Sequence, residues 1–545
     1  MTRPFLRLIG ALLIIDALFL GPYWVLTGDA AASWIALEAS LAVGVFALLP
    51  RARWSTAIAG LVAVLTVALS LLVFADEGAR QILGRPLNLY LDVRLSGAVV
   101  NLLEGALGGL TAALIFLGGL VGAALVIWLL TTLLSPIDIQ KGRRPRKIAG
   151  LVLVAFASLG IVGVGFPAHS SRTSMPGIWV ARDQVRQFVR MLGERDRFET
   201  EMEAAPASYS ERPGLLAALE GRDVILAFLE SYGVSALDDP RYSSVVLPRL
   251  QRLHERVTRA GLHIATGTLV APSQGGQSWL GHMTVLSGLW VDNQLRYDVL
   301  LASGRETLID DFRRAGHRTV TLMPATTMAW PEGERFGYDQ IFAFDDMNYG
   351  GPPLNWVTMP DQFTWSFLEE HVRRSGDPRA LFAEVGLISS HAPWTPILPV
   401  LEDWEAIGDG SVFARFENTG ESPAELWQDY DRVREQYALS LGYALEVMGA
   451  YAERYVDDRT LLIVLGDHQP APLITGEDVS RAVPVHVISG DETLVRPFVD
   501  WGFKPGVLPD PGVPSRGMDA FRSWFVGAFS VPETEESRRS TAAGS

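Results

Sequence analysis

The chain contains no cysteine among its 545 residues, and this absence excludes disulfide bonds, cysteine nucleophiles and thiolate metal sites. Positive charge is also in short supply: 46 Lys and Arg residues stand against 61 Asp and Glu residues, which gives a formal net charge of −15. Nucleic-acid binding needs a basic surface, so this balance argues against it. The sequence has no internal repeat, and low-complexity sequence is confined to the polar end at 533–545.

Apolar residues are abundant, and they are concentrated in the first third of the chain. Runs of about 20 apolar residues are typical of membrane-spanning helices. Five windows fit this description, and the second is short and carries Glu38; they are Leu6–Val25, Trp34–Leu49, Ala57–Phe74, Leu110–Leu134 and Ile148–Gly165. The sequence therefore predicts a transmembrane domain of about five helices at 1–167.

Basic residues indicate how this domain is oriented, because cytoplasmic loops carry an excess of Lys and Arg. Three clusters fall on one side if there are five spans and the N-terminus is cytoplasmic; they are Arg3 with Arg7, Arg51 with Arg53, and Lys141 with Arg143, Arg144, Arg146 and Lys147. We therefore expect a multi-pass protein of a bacterial-type inner (plasma) membrane, with the C-terminal part on the periplasmic or extracellular side.

The rest of the chain predicts a linker at 168–222, which contains the helical stretch Val180–Met202, a globular domain at 223–532 and a disordered tail at 533–545. Short apolar runs typical of buried strands occur at Asp223–Leu229, Thr319–Met323, Leu381–Ile388, Thr460–Leu465 and Val483–Ile488. Helical patterns lie between and after them, at Val246–Ala260, Leu308–Ala315, Ala424–Tyr455 and Met518–Phe529. Alternating strands and helices predict an α/β domain with a mainly parallel sheet sandwiched by helices.

Ligands of such sheets bind beyond the carboxyl ends of the strands, so the residues there are candidates for chemistry. Glu230 follows the first strand, Asp467 and His468 follow the strand Thr460–Leu465, and His391 follows the strand Leu381–Ile388. Oxygen and nitrogen donors of this kind suit Zn²⁺ or Mn²⁺, with Mg²⁺ as an alternative. For Glu230 alone, a helix N-cap or a solvated turn residue is the competing interpretation.

A nucleophile is expected in the glycine-rich segment Ala271–Met283, which runs into a helix. Ser278 would lie at the helix N-terminus, where free N–H groups and the helix dipole favour an anionic oxygen or a phosphate. Ser278 could equally be a simple N-cap. Ser273 and Thr268 are competing nucleophiles.

Three further residues are candidates for substrate binding. His282 lies one helical turn after Ser278, with a packed or solvent-facing histidine as the alternative. Trp330 and Trp356 could stack on a sugar or a headgroup, with ordinary core packing as the alternative for each.

These motifs, in this order, resemble the alkaline-phosphatase/sulfatase superfamily. They resemble more closely its membrane-tethered branch, the lipoteichoic acid synthases and related phosphoglycerol transferases. The resemblance rests on Leu229-Glu230-Ser231, Gly275-Gly276-Gln277-Ser278, Phe336-Gly337-Tyr338-Asp339, His391-Ala392-Pro393-Trp394 and Gly466-Asp467-His468. It implies that Glu230, Asp467 and His468 hold a divalent metal together with Ser278, that Ser278 is the nucleophile, and that His391 contacts the headgroup or leaving group.

The sequence also departs from this branch. Ser278 stands where these transferases usually have Thr, and their Trp-Asn-Arg stretch, which helps to hold glycerol phosphate, is missing. The residues after Ser278 lack the x-Pro-x-Arg pattern of arylsulfatases, so sulfate-ester hydrolysis is not expected. Phosphoethanolamine transferases share the architecture but usually carry Gly-Glu-Thr and several disulfides.

The resemblance implies transfer of a phosphoglycerol-like headgroup from a phospholipid donor, through a phosphoserine, to a glycan or lipid acceptor. Three alternatives are a phosphodiesterase or phosphatase with water as acceptor, a phosphoethanolamine transferase, and a degenerate domain that binds glycans or partners.

Overall fold

The structure is a computed structural model that describes residues 3–27, 35–50, 52–93, 97, 100, 108–135, 143–164, 173–476 and 479–531. It divides into two compact units, Met1–Gly193 and Glu194–Ser545. The predicted tail at 533–545 and the basic residue Lys141 lie outside the described residues.

The first unit is helical. Its helices are α1 (Arg3–Thr27), α2 (Leu37–Leu48), α3 (Arg53–Leu83), α4 (Leu89–Asp92), α5 (Gly109–Leu134), α6 (Arg143–Val164) and α7 (Pro176–Leu192). Two short strands, β1 (Ile35–Ala36) and β2 (Thr173–Ser174), pair in parallel.

Four of the five predicted spans are helices long and apolar enough to cross a membrane: Phe5–Leu26, Arg53–Leu83, Gly109–Leu134 and Arg144–Val162. The predicted span Trp34–Leu49 corresponds to α2, which has only 12 residues. At 1.5 Å per residue such a helix is about 18 Å long, well short of a hydrocarbon layer about 30 Å thick.

Helix α2 nevertheless reverses the chain between α1 and α3. It packs antiparallel against α6, with Leu37 against Gly160 and Gly44 against Gly150. Small residues at such crossings allow close approach of helix backbones. The end of α2 is fixed near the start of α6, because Arg146 donates to the Phe46 carbonyl at 2.7 Å.

Side-chain contacts fix the directions of the other long helices. Arg7 donates to the Thr132 carbonyl, so α1 begins where α5 ends. Ser70 donates to the Leu18 carbonyl at 2.6 Å, and Gly60 lies beside Thr131, so α3 runs in the same direction as α1. Helices α1, α3 and α6 therefore begin at one end of the unit, and α2 and α5 end there.

The second unit combines helices with one large sheet. Its helices are α8 (Glu194–Ala204), α9 (Ser235–Asp238), α10 (Pro240–Arg259), α11 (Ser278–Ser287), α12 (Gln294–Ser303), α13 (Leu308–Arg314), α14 (Pro331–Arg335), α15 (Asp361–Phe367), α16 (Pro423–Leu426), α17 (Tyr430–Tyr455), α18 (Pro472–Thr475), α19 (Glu492–Asp500) and α20 (Ala520–Phe529). Short 3₁₀ segments occupy Ala217–Leu219, Asp345–Met347, Glu405–Ile407 and Ser411–Phe416, and Leu368–Arg373 is π-helical.

The sheet has nine strands: β3 (Asp223–Leu229), β4 (His263–Val270), β5 (Arg318–Met323), β6 (Gln340–Ala343), β7 (Leu381–Leu387), β8 (Thr460–Gly466), β9 (Ala482–Ser489), β10 (Lys504–Pro505) and β11 (Arg516–Gly517). Their order is β10-β4-β9-β8-β3-β7-β5-β6, and β11 pairs with β4. The run from β8 to β6 is parallel, whereas β9 is antiparallel to both β8 and β4.

Both faces of the sheet are buried, as expected for a sheet covered by helices on each side. Along β3, Ile225, Ala227 and Leu229 belong to one apolar core, which includes buried residues of α10 and α17. The alternate residues Val224, Leu226 and Phe228 belong to the other, which includes residues of α13 and α20. The predicted sandwich of helices around a mainly parallel sheet is confirmed.

Several predicted elements differ in detail from those observed. Helix α10 begins six residues before the predicted Val246 because Asp239 caps it and Pro240 occupies its first turn. The predicted helical region Ala424–Tyr455 is two helices, the second of which is capped by Asp429. The predicted helix Val180–Met202 is likewise divided, into α7 and α8.

Candidate active site

Two neighbouring parallel strands bring the predicted metal ligands together. Strands β3 and β8 pair with Leu229 opposite Gly466, so that Glu230 and Asp467, the next residue of each strand, leave the same edge of the sheet side by side. The turn that follows β3 packs closely on the end of β8, since a Cβ on Gly466 would lie 1.9 Å from the Tyr232 carbonyl oxygen. Glycine is therefore required immediately before Asp467.

Glu230, Asp467 and His468 form a compact cluster of donor atoms. One donor atom from each lies within 4.8 Å of the others. His468 Nε2 lies 3.6 Å from Glu230 Oε1 and 3.6 Å from Asp467 Oδ2. Asp467 and His468 are almost completely buried, whereas Glu230 is partly exposed.

Hydrogen bonds to the backbone orient these side chains. Asp467 Oδ1 accepts from the N–H groups of Ser231 and His468, at 2.8 and 2.7 Å. The Nδ1–H group of His468 donates to the Gln469 carbonyl at 2.9 Å. Oδ2 of Asp467 and Nε2 of His468 therefore remain to face the cluster, and outer hydrogen bonds of this kind are typical of metal-ligating residues.

The electrostatics of the cluster suit a cation. Burial, reinforced by the Glu230 carboxylate, raises the pKa of Asp467 to about 6. Burial opposes the charged form of His468, but the Asp467 and Glu230 carboxylates raise its pKa overall. A buried carboxylate, a partly exposed carboxylate and a buried imidazole this close to one another are stabilised by positive charge. Two oxygen donors and one nitrogen donor fit a single divalent ion such as Zn²⁺ or Mn²⁺.

Ser278 lies beside this cluster, at the first residue of α11. Its Oγ is 3.4 Å from Glu230 Oε2 and 3.3 Å from His468 Nε2. Gln277 precedes it in the left-handed conformation, with φ of 63°. This conformation is uncommon for a side-chain-bearing residue and turns the chain sharply into the helix. Ser278 is thus placed both at the cluster and at a helix N-terminus, where anions are favoured.

The competing nucleophiles lie elsewhere in the same part of the chain. Thr268 is inside β4, and its Oγ1 is hydrogen-bonded to Ser515 Oγ at 2.6 Å. Ser273 is buried in the segment that precedes α11.

His391 follows β7 in a loop that is tied to both the sheet and the cluster. Asp361 Oδ1 accepts from the N–H groups of Ile388 and Ser389, each at 2.8 Å, and Ser390 Oγ donates to the Glu230 carbonyl at 2.5 Å. The Nδ1–H group of His391 donates to the Ala392 carbonyl at 2.6 Å, which leaves Nε2 for other partners. Burial opposes the charged form of Glu230, but His468 and, to a smaller extent, His391 lower its pKa overall.

The two tryptophans have different surroundings. Trp356 lies beside His391, with ring centroids 6.1 Å apart. Trp330 packs against Phe336, at 5.9 Å between ring centroids, and against Gly333. The structure therefore brings Trp356, but not Trp330, next to a residue of the predicted site.

His282 takes part in a buried network that sequence reasoning missed. Its ring stacks on Phe228 of β3 at 3.7 Å, and its Nδ1 lies 2.8 Å from Glu384 Oε1. The other Glu384 oxygen accepts from Tyr338, and more weakly from Thr321 at 3.4 Å. Glu384 is the charged residue within the otherwise apolar β7, and that anomaly is the sequence signal that could have revealed it.

Comparisons with known proteins give similarities to solved structures. No protein-family profile matches the chain. No curated protein matches it either. Among solved structures, it is similar to the phosphoethanolamine transferase EptA of Neisseria meningitidis, with a TM-score of 0.49, 12% identity, and 96% of this chain and 94% of that chain covered.

Two further structures are similar over the larger part of the chain. One is the phosphoglycerol transferase GacH of Streptococcus pyogenes, with a TM-score of 0.38, 14% identity, and 63% of this chain and 88% of that chain covered. The other is the lipoteichoic acid synthase LtaP of Listeria monocytogenes, with a TM-score of 0.36, 11% identity, and 60% of this chain and 77% of that chain covered.

Proposed function

We propose that this chain is a membrane-anchored, metal-dependent phosphotransferase that moves a phospho-headgroup from a phospholipid to a glycan or lipid acceptor outside the cytoplasm. Ser278 is the nucleophile, Glu230, Asp467 and His468 hold one divalent cation, and His391 exchanges protons with the leaving and attacking oxygens. The donor is a glycerophospholipid with a phosphoglycerol-like headgroup.

One observation carries this proposal: a serine hydroxyl at a helix N-terminus lies within 3.4 Å of two members of a buried Glu-Asp-His cluster. A cation site alone would suit a structural metal. A hydroxyl poised at the cluster, with helix N–H groups beside it, supplies both a nucleophile and a place for the phosphoryl oxygens.

In the first step, Ser278 Oγ attacks the phosphorus of the donor. The new Oγ–P bond replaces the bond between phosphorus and the diacylglycerol oxygen, and the hydroxyl proton passes to the Glu230 carboxylate or to water. A bound cation would lower the pKa of the Ser278 hydroxyl and offset the charge of the phosphoryl oxygens. His391 Nε2 gives a proton to the departing diacylglycerol oxygen.

In the second step, the acceptor hydroxyl takes the phospho-headgroup from Ser278. His391, now neutral, removes the proton of the acceptor as its oxygen bonds to phosphorus. The Oγ–P bond breaks and Ser278 recovers a proton. The balance of the cycle is one phosphodiester consumed, one formed and one diacylglycerol released.

The helix directions in the first unit support an extracytoplasmic site. Arg7, Arg53, Arg146 and Lys147 lie near the ends of α1, α3 and α6 that share one end of the unit. The excess of basic residues assigns that end to the cytoplasm. Helix α6 finishes at the opposite end, so the chain that follows it emerges outside.

The test uses the full-length protein in nanodiscs that contain a phosphatidylglycerol labelled in its headgroup. Wild-type protein should release diacylglycerol and accumulate a labelled phosphopeptide that contains Ser278, which mass spectrometry would identify. Ser278→Ala should abolish both signals, and Ser278→Thr should retain them because it keeps a hydroxyl at the same place.

Ser273→Ala is the matched control from the same segment, and it should keep the phosphopeptide. Label on any residue other than Ser278, or undiminished diacylglycerol release by Ser278→Ala, would contradict the proposal. Adding a glycan acceptor should discharge the labelled enzyme; discharge at the same rate by water alone would instead identify a phosphodiesterase.

A further inference from the structure

Helix α7 carries a row of exposed apolar side chains in the first unit. Val185, Phe188, Val189 and Leu192 recur at helical spacing, and three of them expose more than 60% of their surface: Val185 64%, Val189 61% and Leu192 67%. Arg186 and Arg190 of the same turns point to other sides of the helix. A soluble surface rarely exposes an apolar stripe of this length, so the stripe indicates a binding surface.

Two residues of the stripe, Val185 and Phe188, lie along one side of an apolar groove. The other side is formed by Asn88 and the first residues of α4, and the groove has a volume of about 400 Å³. Leu89, Tyr90, Val185 and Phe188 line it, with the Tyr90 and Phe188 ring centroids 6.0 Å apart.

Hydrogen bonds fix the positions of the two sides of this groove relative to each other. Gln184 Oε1 accepts from the Leu89 N–H at 3.0 Å, and Gln184 Nε2 donates to the Leu87 carbonyl at 2.6 Å. On the other side, Asp76 Oδ1 accepts from the Leu87 N–H at 2.9 Å. Polar backbone groups at the groove are thus hydrogen-bonded within the protein, while its apolar side chains remain uncovered.

The helix that forms one side of the groove packs against α3, which is long and apolar enough to cross a membrane. Phe74 and Ile82, in the last part of α3, are exposed, and α3 packs against α7. This end of α3 is opposite the end that carries Arg53. Exposed arginines on α7, such as Arg182 and Arg186, would meet the phosphates of a lipid headgroup layer.

We propose that α7 lies in the outer headgroup layer of the membrane and that the groove between α7 and residues 88–90 binds an acyl chain of a membrane lipid. Helix α7 packs against α3, a helix long and apolar enough to cross a membrane whose last part exposes Phe74 and Ile82, and this favours lipid over a second copy of the chain. The inference rests on the proposed membrane insertion, but it does not depend on the chemistry at Ser278.

The absence of native cysteine permits a direct test, because every single-cysteine variant carries one label. Val185→Cys, Val189→Cys, Leu192→Cys and Leu89→Cys would be spin-labelled in the full-length protein in nanodiscs. Arg186→Cys and Arg190→Cys are matched controls, one residue away but on other sides of α7. The measurement is collision of the label with oxygen, which concentrates in lipid, and with a water-soluble nickel chelate.

The apolar positions should show an oxygen-to-nickel collision ratio several-fold higher than the two arginine positions, with the ratio oscillating at the helical period along α7. High nickel collision at all positions would place the stripe in water and overturn the proposal. Low collision with both reagents at Val185 and Val189 would show that protein covers the stripe, and would also overturn it. Repeating the series in Ser278→Ala, which should give the same profile, separates this result from the proposed catalysis.

Discussion

Replacing Gly466 with alanine should disable the candidate metal centre without adding or removing any ligand. The added Cβ would lie 1.9 Å from the Tyr232 carbonyl oxygen, and ordinary contact begins at 3.4 Å. The end of β8 and the turn that contains Tyr232 must therefore move apart by about 1.5 Å, and the obstacle is backbone, which cannot rotate away.

This displacement falls on the ligands themselves. Gly466 directly precedes Asp467, and Tyr232 comes two residues after Glu230, so the strain acts next to one ligand in each of the two segments. Misplacement of reacting groups by about 1 Å costs on the order of 100-fold in rate, and overpacking costs about 1–3 kcal/mol in stability. We expect Gly466→Ala to lose metal and to lose at least about 100-fold in diacylglycerol release.

The measurements are metal content by mass spectrometry, headgroup transfer in nanodiscs, and the temperature of unfolding. Gly527→Ala is the matched control, because its Cβ would meet only the Arg212 guanidinium at 3.9 Å. Gly527 lies inside α20, where alanine is the better helix former, so this control should be neutral or slightly stabilising. A Gly466→Ala protein with full metal content and wild-type transfer would refute the geometry described for the site.

Three further predictions concern the metal, an acid-sensitive core and a buried ion pair. Chelation should remove activity, Mn²⁺ or Zn²⁺ should restore it, and Asp467→Asn should fail to recover. Burial lowers the pKa of His486 to about 3, below its unfolded value of about 6.5. The contribution of the neutral imidazole to stability is therefore complete above pH 6.5, and it is lost by about 1.4 kcal/mol for each pH unit as the pH falls below that value. In His486→Gln, the urea midpoint should fall less steeply between pH 6.5 and 5. Arg522 and Asp311 are both buried and 2.8 Å apart, so Arg522→Ala should cost about 3–5 kcal/mol, whereas the exposed Arg195→Ala should leave the unfolding temperature unchanged.

The site cluster could be predicted from the sequence because it depends on a simple rule of parallel sheets. Strands β3 and β8 are apolar runs that end in Glu230 and in Asp467-His468, and parallel neighbours bring such residues to one edge. The strands β4 and β6 were not predicted. Thr266, Gly267 and Thr268 interrupt the apolar pattern of β4, which is recognisable only through its pairing with β9.

The sequence pattern also did not predict the direction of β9 or the length of α2. The apolar run of β9 is the same whichever way the strand points, and the structure places it antiparallel to β8. Helix α2 lacks the length of a span, yet its close packing on α6 through Gly44 and Gly150 preserves the alternation of directions that the basic residues indicated.

The residues of the Glu-Asp-His cluster and the loops beside it differ in how firmly the fold holds them. Glu230 and Asp467-His468 extend from central strands whose register is fixed by pairing along their full length, and a shift of either would disturb both cores. His391 and Trp356 lie in loops, and the His391 loop is held by two hydrogen bonds to Asp361. Loops tolerate substitution far better than buried parallel strands do. If the proposed function holds, we expect substitutions in the loops around Trp356 and His391 to change headgroup preference while the cluster and Ser278 stay as they are.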